Sequence, residues 1–273
     1  MKKPKKLKLL SSITLVSTIA ATVPIVATAC KDEVVEIRHN TMTLLDGETF
    51  TPVDNIDPNE FCTDDNSYFY IDVVEQPEPL KMESEELVSL QLVNVDPTIT
   101  SLNNDFLRFF INLTDVNMSG LSHITTIGGN FMWNCEKMET LNLAGLENVT
   151  HVGTYFIASC DDLISINLSN MSKLENVDTE CLAENDKLET VDISGWVSLK
   201  NPEAGQYAIL DYFLYNADNL ADLYLPQINP HTFNTSPFGF LAGAVNAYLH
   251  AGSEEMRSLY METEPWQNRM IVI

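Results

Sequence analysis

Between Leu87 and Leu225 the same line of residues recurs every 25 positions, and no other feature of the chain constrains its fold as tightly. Leu113, Val116, Met118, Leu121, Ile124, Ile127 and Phe131 fall in one order, and Met138, Leu141, Leu143, Leu146, Val149, Val152 and Phe156 repeat it 25 residues later. A third copy runs through Leu163, Ile166, Leu168, Met171, Leu174 and Val177, and a fourth through Leu188, Val191, Ile193, Trp196 and Leu199. A looser copy precedes them at Leu87, Leu90, Leu92, Val95, Ile99, Leu102 and Phe106, offset by 25 or 26. Another follows at Leu220, Leu223 and Leu225, displaced by 32 because residues are inserted after Leu199. One unit of this length cannot bury its own apolar face, so a constant period of this size predicts a solenoid of stacked coils. The L-x-x-L-x-L spacing reads as one short strand per coil, with the last two apolar side chains inward and the residue between them outward. Stacked in register, these strands make a parallel sheet. The return segments NFMWNCEKM and TYFIASCDD have room for a single helical turn or irregular turns, not for long helices.

These units resemble leucine-rich repeats, and the F-x-x-x-C-x-x-L type join in FMWNCEKM and FIASCDDL is similar to that of the BspA-like subfamily of bacterial surface proteins. The closing stretch, AYLHAGSEEMRSLYMETEPWQNRM, resembles the final unit of that subfamily. There Ser253 is placed to cap a helix running to about Met261, with Glu254 and Glu255 in its first turn, and Tyr260 and Trp266 to seal the core. The resemblance implies an α/β leucine-rich-repeat solenoid, with a parallel sheet on one face and short helices or turns on the other. It divides the chain into residues 1–29, a signal; 30–86, an N-terminal segment or cap; 87–243, the solenoid; and 244–273, a capping unit.

The first 29 residues carry Lys2, Lys3, Lys5, Lys6 and Lys8, an apolar run from Leu9 to Val26, and Ala27-Thr28-Ala29 ahead of Cys30. That is the pattern of a secretory signal. Small residues directly before a cysteine look like a bacterial lipobox, which implies lipidation of Cys30 and a mollicute-type lipoprotein held on the outer face of the cell membrane. An uncleaved membrane anchor is the alternative. Removing the signal takes away five lysines and no acid, which deepens the formal charge from −24 to −29. So acidic a chain repels nucleic acid and anionic headgroups. Its acidity also serves solubility.

From Lys31 to Glu86 the repeat is absent. EVVEIRH and SYFYIDVV read as strands on either side of a turn-rich stretch, so this segment is a cap on the first coil or a stalk. Asp54, Asp57, Asp64 and Asp65 cluster here, but their spacing matches no calcium loop, and no metal or cofactor is expected. The histidines, His39, His123, His151, His231 and His250, show no metal-ligand spacing, and no hydrolase or phosphate-loop motif is present. The chain therefore reads as a non-enzyme. Cys62, Cys135, Cys160 and Cys181 remain, of which Cys135 and Cys160 lie one period apart, on adjacent coils about 5 Å from each other. A disulfide could join them, although the resemblance implies small buried free thiols.

The outward positions of the sheet form two rows: Asn117, Asn142, Asn167 and Asp192 in one, and Asp115, Thr140, Ser165 and Thr190 in the other. They are the candidate binding face for an extracellular protein or other macromolecule. The loop around 226–244, with Phe233, Phe238 and Phe240, is the second candidate. The resemblance implies a lipid-anchored adhesion or protein-binding module. A surface-coat lipoprotein without a dedicated ligand is the alternative, and an extracellular hydrolase the outsider.

Overall fold

A computed structural model describes residues 39–200, 208–209, 211–233, 240, 246–262 and 270–271. All of them belong to one compact unit, Arg38–Ile273. Residues 1–29, expected to be a signal, Cys30, EVVEIRH up to Arg38, Phe238 and Trp266 lie outside the described residues. Among the described residues no helix is long and apolar enough to cross a membrane.

The elements in chain order are β1 (Thr41–Leu44), β2 (Thr49–Phe50), β3 (Tyr68–Ile71), β4 (Leu80–Glu83), β5 (Leu87–Gln91), β6 (Ser101–Leu102), β7 (Asp115–Asn117) and β8 (Thr126–Ile127). There follow β9 (Thr140–Asn142), β10 (His151–Val152), β11 (Ser165–Asn167), β12 (Asn176–Val177), β13 (Thr190–Asp192), β14 (Asp222–Tyr224), β15 (Tyr248–His250), α1 (Glu254–Met261) and β16 (Met270–Ile271). The coils of β5, β7, β9 and β11 each give one strand to a first face and a two-residue strand to a second, so this part of the solenoid carries two parallel ladders rather than one. The first pairs Val116 with Leu141 and, further along, Ile166 with Val191, Leu223 and Leu249. The second pairs Leu102, Ile127, Val152 and Val177 in an unbroken row.

The inward positions named by the period fill the core. Val116, Met118, Leu121, Ile124, Ile127 and Phe131 are fully buried, as are most of their counterparts in the other coils. Phe106, Phe131 and Phe156 stack ring on ring, with centroids 5.3 and 5.0 Å apart. Leu141 departs from the pattern, being only partly buried. It lies beside a split: the first ladder ends at β9 and restarts at β11, and among the described residues no backbone hydrogen bond joins 139–143 to 164–168. The coils close again on both sides, through Asp162 N to Glu136 O at 2.9 Å and Glu175 N to Thr150 O at 2.8 Å.

The back of the solenoid is built of turns. In each return segment every second residue has a positive φ: Asn130, Met132 and Asn134 in one coil, then Tyr155, Ile157 and Ser159 in the next. Left-handed backbone is unfavourable for such side chains by roughly 1–2 kcal/mol each. Here it aims the N–H groups alternately at the two neighbouring coils. Asn130 N donates forward to Thr154 O at 2.7 Å, Met132 N backward to Phe106 O at 2.8 Å, and Asn134 N forward to Ala158 O at 3.0 Å. A helical turn would satisfy these groups within its own coil, whereas this alternation makes a third ladder between coils.

Residues 39–86 pack on the first coil. β1 runs antiparallel to β5, the hairpin β3–β4 is antiparallel, and Phe61, Phe69 and Phe110 are buried against one another. At the other end Ser253 caps α1 by accepting from Met256 N. Tyr260 is buried, its hydroxyl donating to Pro226 O at 3.0 Å. Phe233 and Phe240 are both buried, centroids 4.5 Å apart, so these two rings of the 226–244 loop belong to the core and offer no binding surface.

Candidate binding face

The outward rows stand where the period places them, on the solvent side of β7, β9, β11 and β13. Their chemistry differs from one row to the other. Asn117, Asn142, Asn167 and Asp192 each turn a side-chain oxygen back to a backbone N–H two residues on: Ser119, Ala144, Ser169 and Ser194, at 2.9–3.0 Å. These are Asx turns, which end the strand and start the corner. Asn142 also donates to Asn117 across the coils at 3.1 Å. This row shapes the fold, and its polar capacity is largely spent inside the chain.

Thr140 and Ser165 in the second row are exposed, while Asp115 and Thr190 are half-buried. Asp115 accepts from Gln91 Nε2 at 2.9 Å. The face also continues past the residues found by sequence spacing. The register carries Thr190 and Asp192 onto Asp222 and Tyr224, and these onto Tyr248 and His250. Tyr224 and His250 stack, centroids 4.4 Å apart and planes 11° apart. His250 Nε2 lies 2.5 Å from Asp222 Oδ1, and Tyr248 is 59% exposed. The face thus runs from short polar side chains to an aromatic end. The candidate rows read from the sequence do not include these four; the copy at Leu220, Leu223 and Leu225, displaced by 32 residues, could have marked Asp222 and Tyr224, whereas Tyr248 and His250 had no repeat copy to mark them.

Elsewhere the titratable groups serve the fold. Asp57 caps a 3-10 turn through Asn59 N at 2.9 Å. Asp64 accepts from Asn66 N and Tyr68 N at 2.8 and 3.0 Å, and the bond from Tyr68 N holds its carboxyl below the ordinary range. Asp54 meets His39 at 3.1 Å. Among the described residues no three His, Cys, Asp or Glu side chains converge on a common metal position. Cys62, Cys135, Cys160 and Cys181 are free thiols. Cys135 and Cys160 donate to Leu107 O and Met132 O, at 3.1 and 3.3 Å, which directs each thiol to a backbone carbonyl of the coil before it. Burial pushes the Cys62 thiol up to about 12, with Asp105 and Asp57 adding to the shift. His39, His151 and His250 each face an aspartate. Among the described residues none of these three imidazoles is hydrogen-bonded to a serine, threonine or cysteine.

Residues 85–208 match, in six copies, the family model described as the BspA type leucine rich repeat region. No curated protein and no solved structure matches the chain. Leucine-rich-repeat domains in general bind other proteins. A 25-residue period, a parallel ladder on each of two faces and this match converge: residues 85–208 form a BspA-type leucine-rich-repeat region.

Proposed function

We propose that this protein is anchored by lipid at Cys30 on the outer face of the cell membrane and binds a protein partner there, in adhesion to a host or a neighbouring cell. The observation that carries the reading is the shape of the sheet face. Short outward side chains at Asp115, Thr140, Ser165 and Thr190 line a strip free of long residues, carried by two ladder segments that part between β9 and β11, and the strip ends in the exposed Tyr248. Such a face suits a macromolecule better than a small ligand, which needs a concave pocket. Aromatic side chains at one end and a surface poor in lysine match the composition of protein-binding sites. The acidity of the chain favours a basic partner.

The test is a binding comparison with the mature ectodomain. Thr140 and Ser165 are both replaced by arginine, which adds bulk and positive charge and leaves the Asx turns and the buried side intact. Biotinylated extracellular proteins retained by the wild type are expected to be lost by the double variant at an unchanged melting temperature. Full retention of every partner would move the binding site off this face.

A further inference from the structure

Where the second ladder meets the turn-built back, the side chains recede. Asn104, Gly129, Thr154 and Thr179 follow one another at the 25-residue spacing, beside a column of Asn103, Gly128, Gly153 and Asp178. Gly128 and Gly153 are demanded by the stacking, because a Cβ on either would stand 2.6 Å from Asn104 Oδ1 or Gly129 N respectively. Gly129 is not. Its Cβ would meet nothing closer than Thr154 O at 3.5 Å, an ordinary contact, and the other members of its column carry side chains. Glycine at 129 instead leaves open a groove of about 470 Å3.

Besides its glycines, the groove is lined by Asn104, Asn130, His151, Thr154, Tyr155 and Asp178. His151 Nε2 and Asp178 Oδ2 lie 3.6 Å apart, both side chains more than a third exposed. The Tyr155 ring is backed by Trp133, with centroids 5.0 Å and planes 19° apart. It is therefore a fixed aromatic surface beside short planar polar groups.

The lining narrows the ligand class. Among the described residues no lysine or arginine lines the groove, so an anion would find no counter-charge there. Of the strands beside it, β8 and β10 are paired on both sides and β12 is bridged on its outer side from Val177 to Ile209, so these positions offer a peptide no free strand edge. An apolar molecule would take water from the exposed His151 and Asp178 side chains and return no hydrogen bond. What fits is a neutral polyhydroxylated ring, whose C–H face covers an aromatic ring while adjacent hydroxyls donate to carboxylate and amide oxygens and accept from amide N–H groups. We propose that the groove at Gly129, between Tyr155 and the His151–Asp178 pair, is a binding site for a neutral saccharide, separate from the protein-binding sheet.

The test uses the whole ectodomain with three neutral probes, lactose, mannotriose and chitotriose, and 3′-sialyllactose as the charged probe, titrated into the millimolar range by saturation-transfer NMR. At least one neutral probe is expected to bind, and 3′-sialyllactose no more tightly than lactose. Gly129→Leu, which fills the groove, and Asp178→Ala, which removes an acceptor, are each expected to weaken that binding about tenfold or more, the equivalent of one hydrogen bond to a charged group. Should Gly129→Leu lower the melting temperature, Asp178→Ala decides. Binding by none of the three neutral probes, or affinity unchanged in Asp178→Ala or in a stably folded Gly129→Leu, overturns the proposal.

Discussion

Asn170 Nδ2 donates to Leu143 O at 2.8 Å, and this bond sits at the place where the first ladder is split. The equivalent residue is glycine in three other coils, Gly120, Gly145 and Gly195, and in each a Cβ would press on the coil before it: 2.9 Å from Leu92 O, 2.1 Å from Met118 O and 1.7 Å from Ser169 O. Asn170 brings a Cβ to that position. The coils part locally, β9 and β11 lose their backbone pairing, Leu141 is partly uncovered, and the asparagine amide supplies a longer-reaching bond in place of the lost ones.

Asn170→Gly is therefore expected to close the split. Recovered backbone bonds contribute about 1 kcal/mol each, offset by up to about 1 kcal/mol for the freedom of the added glycine. The net gain is small, and hydrogen exchange is the sharper measurement. The Leu143 amide, opposite Asn167 O, should exchange more slowly, as expected for the counterpart of Met118 N, which donates to Asn142 O at 2.9 Å. Unchanged exchange at Leu143 would show that Asn170 is not the cause. Gly145→Asn should do the reverse, opening the ladder one coil earlier at a loss of about 1–3 kcal/mol.

Leu143 is 4% exposed, and Leu143→Ala is expected to cost about 2–5 kcal/mol through lost transfer energy and a cavity. Its neighbour Asn142, although exposed, holds Ala144 N and reaches Asn117. Asn142→Ala should cost about 1 kcal/mol, while Thr140→Ala on the same strand stays within about half a kcal/mol. Thermal melts that rank Asn142 with Thr140 would remove the structural role given to the asparagine row.

The four described thiols are expected to resist iodoacetamide at pH 8 in the folded protein and to react on unfolding, because only the thiolate attacks. Burial raises Cys62 to about 12 and raises Cys135 and Cys181 strongly. A thiol raised in the folded state favours folding below its ordinary range near 9. For Cys62 that contribution is lost as pH climbs toward about 12, so stability should fall on the alkaline side. Mass spectrometry of the alkylated protein reads the first effect. Rapid labelling of Cys135, Cys160 or Cys181 at pH 8 without unfolding would contradict their buried placement.

Metabolic labelling with a radioactive fatty acid should mark the protein, and Cys30→Ser should abolish the mark. A label that persists in the serine variant places the lipid elsewhere or removes it from the account.

The period alone determined which positions lie above one another, and because apolar side chains must leave water, it determined the core: Val116, Met118 and Phe131 are buried where the spacing put them. It likewise marked the two outward rows. What those rows do was decided by the stacking distance of the coils, which no single coil encodes. Asparagine at 117, 142 and 167 could have bonded a neighbour, a partner or its own backbone, and the corner geometry turned it to the backbone. The return segments had room for a helical turn, yet left-handed residues such as Met132 prevailed because the adjacent coils offer carbonyls within reach. The split at Asn170 and the groove at Gly129 are tertiary for the same reason: one Cβ present or absent counts only against the coil stacked beside it.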